Sequence, residues 1–421
     1  MSIIEQQRDP SFVDKDRRRA IYVLSFLFFT WGFLSCLTDL LVPYLRGVFE
    51  LSYFQAMLVQ FSFFSAFFLF AIPLGFIVGR VGYRNGIVIG LTVAAIGCLL
   101  FFPAAQLISY PFFLFALFVL ATGICCLQVS ANPYVVLLGR PETATRRLNL
   151  TQGFNSLGTT VAPYVAAIFI FSTISEFSSG ADAVKLPYLF IATVLLSLAV
   201  FFNYSRLPNV AASDVDASPA LDEDQKTFSS SLSRVFYGLM SNRAIFLGAL
   251  GIFFYVGVEV SIGSLLVNFI ADESIGDMSE AQASQYVSVF WLAAMIGRFA
   301  GFFLMAWMRP SLLLLFNAVL ACFLVGIAVL GKGSLAMWAI LAVGLCNSIM
   351  FPTIFSLAIA KAGLFASQGS GILCLAIVGG AVIPVIQGLL ADTVGLQNSL
   401  SLSIAGYIYI AWYAYNYSLD K

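Results

Sequence analysis

Two carboxylates stand where this chain can least accommodate charge. Asp39, in LSCLTDLLVPYL, and Glu259, in FFYVGVEVSIGS, lie inside long apolar runs. A charge deep in hydrocarbon costs about 3 kcal/mol on insertion scales, so an intramembrane carboxylate is retained for a function such as binding or relaying a cation. Asp39 falls 20 residues past Arg19, about 30 Å along a helix at about 1.5 Å per residue. Glu259 falls 16 residues past Arg243, about 24 Å by the same rise. Aligning FFTWGF with FFYVGV sets Asp39 against Ser264 rather than Glu259, which predicts different jobs for the two acids. Arg298, in IGRFAG, is a third charge inside an apolar run, placed either to snorkel or to pair.

Amides accompany these charges at helical spacing. Gln128 and Asn132 are four residues apart, Gln152 and Asn155 three apart, and Asn347 and Gln387 lie in later runs. Residues three or four apart share a helix face, so each pair presents donors and acceptors to one cavity or glues neighbouring helices. A sugar has an apolar CH face and a rim of hydroxyls. Amides, a carboxylate and an aromatic such as Trp291 on facing helices suit that ligand. The chain has no His, which excludes Ser/His and Cys/His catalysis, and the chain is expected not to be an enzyme. All seven Cys lie in apolar runs without metal-ligand spacing, so no cofactor or bound transition metal is expected.

The elements that must carry these residues are membrane spans. Of 421 residues 60% are apolar and 10% charged, against roughly half and about a quarter in soluble domains, and the mean hydropathy is +0.95. Twelve apolar stretches are long enough to cross a bilayer: 21–45, 53–78, 86–104, 111–138, 148–173, 186–205, 244–270, 284–307, 311–330, 335–360, 366–390 and 397–417. Alternate hydrophilic segments, beginning with the N-terminus, hold 18 of the 21 Lys and Arg, and the other six loops hold three. Positive residues accumulate on the cytoplasmic side, which predicts a multi-pass protein of the cell inner membrane with both termini cytoplasmic. The net charge is zero, and no basic stripe indicates nucleic acid.

The one long hydrophilic stretch, 207–242, divides the chain into a six-helix bundle at 1–206 and another at 243–421. An internal repeat agrees with that division. Gly123 and Gly344, Pro133 and Pro352, Gln152 and Gln368, and Pro163 and Pro384 are separated by 216 to 221 residues. An all-α integral membrane protein of two six-helix pseudo-repeats, enclosing a site near the midplane, is the expected fold.

GFLSCLTDLLVPYLRGVFELSYFQAMLVQF, LQVSANPYVVLLGRPETATRRLNLTQGFNSLGTTVAPY and YVGVEVSIGSLLVNF together resemble the fucose:proton symporter family of the major facilitator superfamily, most closely its bacterial glucose/galactose branch. The loop GFIVGRVGYRNG, with Gly79, Arg80 and Arg84, is similar to the superfamily's loop between spans two and three, without its usual acidic residue. The resemblance implies gating by Gly79, Arg80 and Arg84, to which Arg298 is added from its position. It implies a first-helix coupling role for Asp39. It also places Gln128 where the fucose type carries an essential Glu. An amide does not titrate near neutral pH, so coupling passes to Asp39 or Glu259. The expected function is symport of a monosaccharide, glucose or galactose, with H+ or Na+, a sodium ion lying near Asp39 or Glu259. The sugar is held by Asp39, Gln128, Asn132, Gln152, Asn155, Glu259, Trp291 and Asn347, in a functional monomer working by alternating access. Uptake of another hexose, such as N-acetylglucosamine, mannose or fucose, or export of small molecules, is the alternative.

Overall fold

The computed structural model describes residues 19–33, 36, 53–165, 185–205 and 242–419. Asp39, much of the first loop, and the 207–241 part of the expected linker lie outside the described residues. Twelve long helices run through the rest: α1 (Arg19–Phe33), α2 (Tyr53–Val81), α3 (Tyr83–Gln106), α4 (Tyr110–Leu137), α5 (Ala144–Val165) and α6 (Lys185–Tyr204). After the break come α7 (Arg243–Ala271), α8 (Glu280–Leu304), α9 (Pro310–Leu330), α10 (Gly333–Ala360), α11 (Ala366–Val394) and α12 (Ser401–Leu419). Eight of these are long and apolar enough to cross a membrane on composition alone.

Alternation of direction brings Arg80, Arg84, Arg146, Arg147, Arg243, Arg309 and Lys361 to one end of the assembly, called here the basic end. Within α1–α6, α4 packs on α2 and α3, and α3 on α6. Within α7–α12, α7 packs on α10, α11 and α12, and α9 on α10 and α12. The two groups meet along a seam of repeated form, with α2 against α11, α5 against α8, α4 against α11 and α5 against α10.

Small residues make the seam tight. A Cβ at Gly371 would stand 2.6 Å from the Ala71 carbonyl oxygen, and one at Gly75 would stand 2.9 Å from that of Ser367. α1 approaches α5 as closely: a Cβ at Gly158 would lie 2.2 Å from the Phe29 carbonyl oxygen. Lipid offers no hydrophobic drive between helices, so such close approaches supply the dispersion contact that holds them together.

Two prolines open the helix ladders at the seam. Pro133 has no N–H, so the Val129 carbonyl four residues earlier lacks its helical partner. The Ser370 hydroxyl of α11 donates to it at 3.0 Å across the seam. Pro352 frees the Ser348 carbonyl in the same way, and the break it leaves in α10 is filled by Arg298 Nε, which donates at 3.1 Å.

Candidate functional site

The amides of α4 and α5 come together because the turn between those helices is fixed by one side chain. Arg147, buried in the first turn of α5, donates to the carbonyls of Val135 (3.2 Å), Val136 (2.8 Å) and Arg140 (2.9 Å). The last α4 carbonyls have no intrahelical donor, and a basic side chain can satisfy them. That clamp sets the register of the two helices. Further in, Gln152 Nε2 donates to Asn132 Oδ1 at 3.3 Å. Both residues are buried, yet Asn132 Nδ2 has no partner. An unmet buried donor costs about 1–3 kcal/mol, so this nitrogen is a ready donor for a ligand hydroxyl. Gln128, half-buried, lies one turn before Asn132 on the same face. Asn155 is tied down instead, its Nδ2 donating to the Phe28 carbonyl of α1 at 3.0 Å.

The ionisable groups lie on the other side of the seam. Glu259 on α7 is half-buried, and the fully buried Tyr255 one turn earlier donates its hydroxyl to Oε1 at 2.6 Å. One turn later is Gly263, whose Cβ direction meets the Trp291 ring at 3.6 Å. Tyr255, Glu259 and Gly263 therefore form one stripe. On α8, Trp291, Met295, Arg298 and Phe302 make a second stripe at spacings of four, three and four. Leu292, Ile296 and Phe303, exposed on the adjacent face, mark the lipid side. Trp291, 41% exposed, stands on the Arg298 stripe against Gly263 of α7.

Arg298 closes that space toward the basic end. Its Nη1 donates to the Gln152 carbonyl at 3.4 Å and to the Ser156 hydroxyl, both on α5. Asn149 Nδ2 returns a bond to the Arg298 carbonyl at 2.6 Å, and Arg146 Nε donates to the Phe302 carbonyl at 2.9 Å.

The remaining expected positions lie within single helix groups or along the seam. Asn347 is fully buried within α7–α12, where Tyr407 donates to its Oδ1 at 2.7 Å. Gln387 Oε1 accepts from Ser261 at 2.5 Å, also inside that group. Gly79 faces Ser367 and Gln368 across the seam, with a Cβ position 2.8 Å from Ser367 Oγ. Arg84 ties α3 to the Phe202 carbonyl of α6 at 3.1 Å, a strut within one group, and Arg80 is exposed. Sequence reasoning missed Tyr255, Ser156 and Tyr407. The i, i+4 relation of Tyr255 to Glu259, and of Gln152 to Ser156, was the available signal.

A cavity between α1, α3, α4 and α6, lined by Leu27, Thr30, Trp31, Leu91, Ile124 and Leu195, is mostly apolar. Its hydroxyl, on Thr30, already donates to the Phe26 carbonyl at 2.9 Å. Among the described residues no group of three or more metal-ligating side chains occurs.

Known proteins resemble this chain over nearly its whole length. The family model described as Major Facilitator Superfamily matches residues 21–384. The chain is 50% identical over 396 residues to the glucose/galactose transporter of Brucella abortus, covering 94% of this chain and 93% of the relative. It is 32% identical over 406 residues to the L-fucose-proton symporter of Escherichia coli, covering 91% and 90%. The crystal structure of the transporter FucP in its outward conformation superposes with a TM-score of 0.84 at 30% identity, over 95% of this chain and 99% of that one. A proton:xylose symporter, at 11% identity and a TM-score of 0.69, shares the fold.

Proposed function

This chain belongs to the major facilitator superfamily, a multi-pass membrane protein of twelve-helix architecture related to transporters rather than enzymes, and from that premise we propose that it is a monosaccharide:cation symporter for glucose or galactose. Residues 1–206 and 243–421 form two six-helix bundles joined by 207–242, which rock about a central site. The basic end faces the cytoplasm of a cell whose inner membrane holds the protein, by the rule that positive loops stay inside, and the working unit is one chain.

The observation that carries the reading is the amide cluster of Gln128, Asn132 and Gln152, with its unpartnered buried donor, facing a stripe that holds Trp291 and Glu259. Sugar hydroxyls bond the amides, and the Trp291 ring covers an apolar sugar face. Glu259 takes the cation. The hydrogen-bond partner that faces its carboxylate is the Tyr255 hydroxyl, which donates and so occupies a lone pair. A proton needs one further oxygen lone pair, whereas a sodium ion needs a cage of oxygens, and the geometry favours the proton. Asp39 is a second coupling group on the first helix. Gly79 and Arg298, which reach across the seam, govern closure at the basic end, with Arg80 and Arg84 stiffening the loop beside them.

Proteoliposomes test this directly. Labelled glucose or galactose should accumulate under an inward proton gradient, and the uptake should be lost in Glu259→Gln while sugar counterflow persists. Accumulation driven by sodium with no response to pH would transfer the coupling role to another ion. Absence of counterflow with either sugar would end the sugar reading.

A further inference from the structure

We propose that Cys125 of α4 and Cys374 of α11 are a paired modification site: a peroxide joins them in a disulfide across the seam, and that bond holds the basic end closed. Their placement follows from one hydrogen bond. Ser370 of α11 donates to the Val129 carbonyl of α4 at 3.0 Å. Serine has a one-carbon side chain, so this bond requires the two backbones to lie close. α4 runs toward the basic end and α11 starts from it, which makes the two helices antiparallel. Cys125 is one turn back from Val129 and Cys374 one turn on from Ser370. Both steps lead away from the basic end by about 6 Å, at about 1.5 Å per residue, and residues four apart share a helix face. The two thiols therefore stand opposite each other on the adjoining rung of the same contact, and both are fully buried.

Neighbouring thiols are engaged elsewhere. Cys126 stands about 100° round α4 from Cys125, and it donates to the Gly86 carbonyl of α3 at 3.3 Å, inside its own helix group. Cys322 of α9 is turned to the Ile404 carbonyl of α12 at 3.9 Å, inside the other group. The pair of Cys125 and Cys374 differs in that its members belong to opposite groups, so a bond between them couples the two bodies that must part for the basic end to open.

Motion of the seam sets when the reaction runs. The thiolate is the reacting form, and a thiol sealed from water in apolar packing is inert. Parting of α4 from α11 admits water, and one thiol gives up its proton. The thiolate attacks hydrogen peroxide: an S–O bond forms, the O–O bond breaks, and the departing hydroxide takes that proton to become water. Closure then brings the second thiol onto the sulfenic sulfur. The S–S bond forms, the S–O bond breaks, and the departing hydroxide leaves as water with the second thiol's proton. The two sulfurs together lose two electrons, both to the peroxide. The carrier stops with its site open only to the side opposite the basic end, and a dithiol reductant returns both thiols and the motion. The arrest of transport rests on the alternating-access reading, whereas the bond itself does not.

Wild type, Cys125→Ala and Cys374→Ala in proteoliposomes test the pair, with hydrogen peroxide as oxidant, dithiothreitol as reductant and labelled galactose counterflow as readout. Peroxide should link the peptides that hold Cys125 and Cys374, seen by mass after digestion without reductant, and lower wild-type counterflow at least about fivefold, with recovery in dithiothreitol. The link should form faster while galactose is cycling than in its absence. Each alanine variant should keep counterflow within about twofold before and after peroxide, since a buried thiol otherwise serves as a small apolar side chain. Absence of the linked peptide, a linked protein that transports at full rate, or equal inhibition of the alanine variants would overturn the proposal. Should both variants fail to reach the membrane, the linked peptide and the dithiothreitol reversal in wild type decide. If untreated protein shows no counterflow, the sugar reading falls by itself. The pair is then judged by the linked peptide and by the thermal midpoint in detergent, which should rise on oxidation as for a bond closing a long loop; an unmoved midpoint refutes the lock.

Discussion

The two sides of the seam do different chemistry with similar helices. Among the described residues that line the central space, α4 and α5 contribute neutral amides and a hydroxyl, Gln128, Asn132, Gln152 and Ser156. α7 and α8 contribute the ionisable groups, Glu259 with Tyr255, and Arg298. The repeat that made both groups preserved their prolines and glycines, which shape backbone, and let the polar side chains diverge. Pro133 and Pro352 each free a carbonyl, yet a serine hydroxyl takes one and a guanidinium the other. On the proposed function, recognition and coupling can then be altered separately, because hydrogen bonds to hydroxyls need geometry while cation coupling needs a group that changes charge.

The largest test of that division is Glu259→Gln. It should abolish concentrative uptake and leave sugar affinity, measured by counterflow, within about threefold, since an amide keeps the shape and the bond from Tyr255. A tenfold loss of affinity would show that the acid also grips the sugar, and would break the comparison. Gly371→Leu comes next. Its side chain would enter the Ala71 backbone, so the closed seam should lose at least about 2 kcal/mol as for other overpacked sites. The prediction is a lower thermal midpoint in detergent and faster alkylation of the seam thiol Cys374, which is fully buried in the closed form.

Asn132→Ala removes one sugar bond and strips Gln152 Nε2 of its acceptor, which should raise the KM for uptake about tenfold, or about 1.4 kcal/mol, without changing the pH profile. A moved pH profile would mean that the amide side takes part in coupling. Smallest is Gln387→Leu. Gln387 lies inside α7–α12 against Ser261, with Nε2 unpartnered. Transport kinetics should stay within about twofold, while stability should fall by about 1–3 kcal/mol, because Gln387→Leu leaves the buried Ser261 hydroxyl without its acceptor. A large change in KM would extend the site into that group.

Much of this was readable in order along the chain. Where their bounds fall among the described residues, the apolar runs match the helices to within a few residues: 311–330 and 366–390 become Pro310–Leu330 and Ala366–Val394. α5 is an instructive case. Arg146, Arg147, Asn149, Gln152 and Asn155 make it too polar to qualify as a span by composition, but its amide and glycine spacing, and its resemblance to a family segment, still marked it. Glu259 was legible for the opposite reason, as one costly residue in an apolar run. Asn347 looked equivalent to Gln128 in sequence, and the fold separates them: Asn347 is enclosed with Tyr407, whereas Gln128 stays half-buried beside Asn132.

The sequence by itself determined that the chain crosses a membrane many times, which end of each helix carries positive charge, and which few polar residues must be explained. Those follow from hydropathy and charge, which add up residue by residue and need no knowledge of neighbours. Tertiary structure alone decided the partners. Arg298 meets residues more than 140 positions away, and Tyr407 meets Asn347 across 60. Spacing fixes the face of a helix on which a side chain stands. Which other helix lies opposite that face depends on close backbone approaches at Gly75, Gly158 and Gly371, which no local pattern encodes.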